Sequence, residues 1–199
     1  EYRNRLISVA LVKRGLYEVV TFSFFSERSA KLFKNDASPV ILDNPISQDL
    51  SIMRVSLLPN IIDHFVNNSK KGLKNSGLFE VGSIYYGDKE EDQLICSAGI
   101  RSGNISSRHW STDNREVDIY DIKKDAFKAL ESIGISTYNL NLEKDVPDWY
   151  HPGRSGVIKL GKMSLGYFGE LHPKYYEKYG MRIVCFELFH NSFPKTLKK

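Results

Sequence analysis

NPISQDLSIMRVSLLP, residues 44–59, leads through an amphipathic segment into LFEVGSIYYGD, residues 78–88. Asn44-Pro45 and Ser47 spell a turn, because each favours non-helical backbone through its own side chain. From Leu57 to Lys70 the apolar residues Leu58, Ile61, Ile62, Phe65 and Val66 recur at helical spacing, and Pro59 is tolerated in a first turn. Leu78 to Tyr86 is rich in aromatic and β-branched residues and predicts a strand; the acidic turn Asp88 to Asp92 hands it to a second, Leu94 to Arg101. A helix laid before a hairpin implies an antiparallel sheet with helices packed on it.

The flanks extend this pattern. Upstream, Tyr2 to Arg14 is a helix stopped by Gly15, Tyr17 to Phe25 alternates as a strand, Ser26 caps a short helix through Phe33, and Pro39 to Leu42 is a short strand. Downstream, Val117 to Ile133 is a helix stopped by Gly134, followed by strands Thr137 to Leu142, Ser155 to Leu160 and Met163 to Phe168. A short helix begins after Pro173, and Met181 to Phe189 is the final strand. The expectation is an α+β fold with a largely antiparallel sheet flanked by helices. Residues 1–192 form one core domain, and 193–199, a proline followed by lysines, form a linker to a following domain. Glu1 opening directly into helical pattern suggests a piece of a longer polypeptide.

Composition narrows the function. The 199 residues are 41% hydrophobic and 26% charged, enough for a sizeable core. No apolar run spans a bilayer, and Cys96 and Cys185 sit inside apolar runs as small hydrophobes, which points to a reduced cytoplasmic setting. The net charge of +4 owes much to three lysines in the last five residues, so it is weak support for nucleic-acid binding. His64, His109, His151, His172 and His190 show no metal-ligand spacing, and no nucleophile elbow or Ser/His/Asp pattern is visible. His151 and His172 precede prolines, which suggests turn roles.

Five strings carry a resemblance: NPIS (44–47), SIMRVSLLP (51–59), LFEVG (78–82), HPGRSG (151–156) and GELHP (169–173). In this order and spacing they are similar to the core region of bacterial phenylalanyl-tRNA synthetase β subunits, and the likeness runs from Tyr2 to Phe193. It implies a class II synthetase-like module without catalysis, paired with a catalytic α subunit in an (αβ)2 enzyme that charges tRNA(Phe). It implies no cofactor in this piece, and ATP and magnesium in the whole enzyme. The family's metal-binding acids belong to a domain upstream of this piece.

The departures from a competent class II site are specific. A strand of the FE-G-R-x-F-R type would fork arginines onto the α-phosphate of ATP. Here Phe79, Glu80, Val81 and Gly82 are followed by Ser83, Ile84, Tyr85 and Tyr86, with no arginine between Arg54 and Arg101. The final strand runs into His190, Asn191 and Ser192, with neither the glycines nor the arginine of such a site. The first helix and strand resemble the class II dimerisation element, with Phe24, Phe25 and Ser26 where its proline would stand. The candidate subunit interface is therefore Leu6, Val9, Ala10, Lys13, Tyr17, Val19, Phe22 and Phe24. Arg54, Glu80, His151, Arg154 and Glu170 are candidate structural, RNA or partner anchors, with the glutamates as buried or interface partners of Arg54 or Arg154. Two alternatives stay open: an RNA-binding module working through Lys70, Lys71, Lys74, Arg101 and Arg108, and a stand-alone amino-acid-activating enzyme.

Overall fold

The computed structural model describes residues 1–33, 39–105, 110 and 115–194, and of 176–178 the backbone alone. Five α-helices and nine strands are formed among the described residues: α1 (Tyr2–Lys13), β1 (Tyr17–Glu18), β2 (Phe24–Phe25), α2 (Glu27–Leu32), β3 (Ile52–Met53), α3 (Leu58–Lys70), β4 (Ser76–Tyr85), β5 (Gln93–Ser102), α4 (Ile119–Ser132), β6 (Leu140–Glu143), β7 (Tyr150–Leu160), β8 (Met163–Leu171), α5 (Lys174–Tyr179) and β9 (Ile183–Phe189). Seven strands form one sheet in the order β1-β4-β5-β9-β8-β7-β6. Every pairing in it is antiparallel except that of β1 with β4.

Alternation along the strands gives the sheet two buried faces. On β9, Val184, Phe186 and Leu188 join Phe79 of β4 and Ile7, Leu11, Ile122, Ala126 and Leu130 of α1 and α4 in one core. Ile183 and Cys185 face the other way, into a core with Leu78, Ile84, Cys96 and Ala98 under α3 and α5. Both cysteines are free thiols, fully buried in this second core. Asp125, fully buried on α4, takes Arg14 Nε at 2.7 Å and Arg101 Nε at 2.5 Å, which fastens α1, α4 and β5 together.

Several boundaries differ from expectation. Tyr17 to Phe25 is two short strands in different sheets: Val19 N–H bonds Phe79 O at 2.8 Å, then the chain leaves the large sheet and Phe24–Phe25 pairs with Ile52–Met53. Pro39 to Leu42 forms only a single bridge, Ile41 to Ile52. Thr137–Asn139 is a 3-10 turn and the strand begins at Leu140. The strand expected from Ser155 begins at Tyr150, so HPGRSG is part of β7, whose register against β8 shifts between Tyr150 and Ser155. His151 Nδ1 accepts there from the backbone N–H groups of Gly153 and Arg154 at 3.0 and 3.1 Å. Phe193 is buried in the first core and Pro194 O accepts from Arg3 at 2.9 Å, so packing runs past residue 192. Residues 195–199 lie outside the described residues.

Candidate functional site

Two glutamates define the region. Register across the sheet places Glu80 of β4 opposite Ala98 of β5, and Ala98 opposite Glu187 of β9, so both side chains stand on the second face in one row. Strands lie ~4.8 Å apart, which puts the two backbones about 10 Å from each other. Their surroundings differ completely.

Glu80 is paired. Arg54 Nη1 lies 2.8 Å from Glu80 Oε1, Thr21 Oγ1 donates to Glu80 Oε2 at 2.7 Å, and both charged groups are almost fully buried. Arg54 Nη1 also reaches Thr21 Oγ1 at 2.8 Å, and its Nε donates to Ser83 O at 2.8 Å. The backbone of Arg54 is held as well, its N–H on Ser23 O and its carbonyl on Tyr85 N, each at 2.9 Å. Gly82 makes room for the guanidinium, since a Cβ there would come within 2.6 Å of Arg54 Nη2. Its Nε and Nη1 are thus spent on the protein itself, and a guanidinium engaged in this way is not free to fork onto a phosphate.

Among the described residues Glu187 has no cationic partner. Ser56 Oγ donates to its Oε1 at 2.6 Å and Tyr150 OH to its Oε2 at a long 3.4 Å. The buried indole N–H of Trp149 faces the same carboxyl without completing a hydrogen bond. Burial without a positive partner pushes the Glu187 carboxyl up to about 7. It floors a cleft of about 520 Å3 walled by Tyr86, Leu94, Trp149, Tyr167 and Phe189. Among the described residues lining this cleft the charged ones are Asp148 and Glu187, both acidic. A triphosphate does not fit that lining: like charge would face it where cations are needed.

Other sequence candidates lie elsewhere. Arg154 Nε and Arg182 Nη2 converge on the buried Glu170 Oε2 at 3.0 and 2.9 Å. Val9, Lys13, Tyr17 and Phe22 are exposed, and Leu6, Ala10, Val19 and Phe24 are half-buried, Leu6 against the first core and Val19 against the second. Lys70, Lys71 and Lys74 are exposed at the end of α3 and just beyond it, but Arg101 is buried on Asp125, which removes it from any RNA-facing set. Arg108 and His109 lie outside the described residues.

The structure also assembles a row that the sequence pattern concealed. Ser97 Oγ lies 2.6 Å from His190 Nε2, and His190 Nδ1 lies 3.0 Å from Asn4 Oδ1. It has the order of a hydrolytic triad, yet Ser97 is fully buried and the imidazole stacks on Phe193 at 4.8 Å between centroids. No substrate carbonyl can reach that hydroxyl, so the row acts as a strap from α1 to β5. Glu187 itself was legible in principle: it is the lone acid in IVCFELF, at the inward position shared by Ile183 and Cys185.

A family model described as the phenylalanyl tRNA synthetase beta chain CLM domain matches residues 2–189. A phenylalanine–tRNA ligase beta subunit of Rhodospirillum rubrum is 44% identical over 173 residues, covering 86% of this chain and 22% of that protein. Its counterpart in Paramagnetospirillum magneticum is 41% identical over 199 residues, covering 99% of this chain and 25% of that one. The chain thus spans about a quarter of the length of these relatives. Among solved structures, a pyrrolysyl-tRNA synthetase of Desulfitobacterium hafniense superposes with a TM-score of 0.71 at 16% identity, covering 96% of this chain and 64% of that one. At that identity the likeness concerns the fold alone.

Proposed function

The chain belongs to the phenylalanyl-tRNA synthetase β-chain core-domain family, and from that premise we propose that it is a noncatalytic scaffold that docks a catalytic α subunit. In the assembled (αβ)2 enzyme it orients the true active site and tRNA(Phe), and ATP and magnesium serve the whole cytoplasmic enzyme rather than this domain. The observation that carries docking is the exposure of Val9, Val12, Tyr17, Val20 and Phe22 within α1 and the segment after it, Val20 being 91% exposed. Apolar side chains left in water at this density mark a surface that a partner covers. The engagement of Arg54 by Glu80 supports the noncatalytic part, because a class II phosphate clamp requires a free guanidinium.

No helix among the described residues is long and apolar enough to cross a membrane. Coexpression of the protein with the cognate α subunit tests the proposal directly. A complex that survives size-exclusion chromatography is expected; two folded chains eluting apart would end the docking claim. Amino-acid-dependent ATP–pyrophosphate exchange by the β chain alone would overturn the noncatalytic reading.

A further inference from the structure

We propose that the cleft over Glu187 binds a small molecule carrying a protonated amine on a compact apolar body. This goes beyond the scaffold role and does not depend on it. The lining sets the ligand class by charge, size and surface. Its charged side chains, Glu187 on the floor and Asp148 beside Trp149, are both acids, so a cation is favoured and an anion is repelled. At about 520 Å3 the volume is that of a small-molecule site rather than of a packing defect. The walls are Trp149, Tyr167, Tyr86 and Phe189, whose ring faces attract ammonium groups as well as hydrocarbon.

Contrast within the same row of the sheet strengthens the inference. Glu80 is neutralised by Arg54, whereas the hydrogen bonds formed to Glu187 among the described residues come from two hydroxyls, one of them at 3.4 Å, although it is just as deeply buried. A buried carboxyl without a cation is costly when ionised. An ammonium arriving through the cleft would supply the charge that Arg54 supplies to Glu80, and the carboxyl proton would pass to solvent. The indole N–H of Trp149, buried and completing no hydrogen bond among the described residues, stands at the same wall and gives the site an optical reporter.

The chain has two tryptophans, and Trp110 is exposed, so Trp110→Phe leaves Trp149 as the sole indole. The W110F protein is titrated by fluorescence with 2-phenylethylamine and, separately, with 2-phenylethanol, which has the same skeleton without the charge. Saturable binding of the amine, about tenfold or more tighter than that of the alcohol, is expected. In W110F/E187Q the preference should fall to within about twofold, with alcohol binding retained. Equal affinity for the two probes in W110F, an absence of saturable response to the amine, or an amine preference that survives in a folded E187Q variant would overturn the proposal. Should E187Q fail to fold, the amine-against-alcohol comparison in W110F still decides the question.

Discussion

Arg54 and Glu80 form a buried ion pair at the centre of the site, and they make the sharpest stability test. Truncating Arg54 strands a buried carboxylate, so Arg54→Ala should cost about 3–5 kcal/mol in urea unfolding, while a joint Arg54→Met, Glu80→Leu replacement recovers most of the loss. Glu187 and His190 make opposite demands on pH. The carboxyl is pushed up by burial from an ordinary 4.5 to about 7, so its contribution is present below pH 4.5 and is lost as pH rises through 7. Burial, aided by the Arg3 charge, pushes the imidazole down from 6.5 to about 4, so its contribution is present above pH 6.5 and lost as pH falls through 4. Each shift corresponds to roughly 3 kcal/mol, and between pH 4.5 and 6.5 the two slopes oppose each other. Glu187→Gln should therefore unmask stability that rises with pH across that window, measured as the urea midpoint; an unchanged slope would refute the assignment. The sequence named Glu80 as a partner of Arg54 or Arg154 without deciding between them, since a guanidinium held by Thr21, Glu80 and Ser83 depends on three separate segments meeting.

At the level of elements, the helices were the most legible, because each carries its apolar stripe and its stop within one stretch. Gly15 and Gly134 both adopt positive φ, +80° and +84°, where the sequence placed helix ends. The apolar spacing predicts a helix from Val117, but Asp118 is the cap of α4: its Oδ1 accepts from Tyr120 N at 2.8 Å, and Asp121 Oδ2 accepts from Asp118 N at 2.9 Å. Asp118→Ala should cost about 1 kcal/mol, recovered by Asn at the same position. Removing Asp125 farther along the same helix should cost about 3 kcal/mol, because Arg14 and Arg101 would be left facing each other without their anion. Thermal unfolding of both variants ranks the cap against the ion-pair clamp. Tyr17 to Phe25 was illegible as two elements, since one unbroken alternation serves both. Where the chain leaves β4 it brings Thr21 Oγ1 to Glu80 and Arg54, and its next carbonyls, Phe22 O and Ser23 O, accept from Asn60 and Arg54.

For the whole molecule, the α+β class and the hairpins were visible in the sequence, but not which strand fills the centre of the sheet, because that depends on pairings between distant segments. The proposed docking is likewise a property of the assembled surface. Val20→Asp with Phe22→Asp should weaken association with the α subunit at least tenfold while leaving the melting temperature nearly unchanged, as both side chains already face water. Pull-down and calorimetry on the same samples separate the two effects. The sheet order has a further consequence for how the protein comes into being. β9, the last strand of the described chain, lies between β5 and β8. During synthesis the β4–β5 hairpin and the β6–β7–β8 meander leave the ribosome first, each with a bare hydrogen-bonding edge that only β9 can cover. A nascent chain halted before Ile183 would hold two half-sheets open to pairing with neighbours, and that interval is when this protein most needs a chaperone.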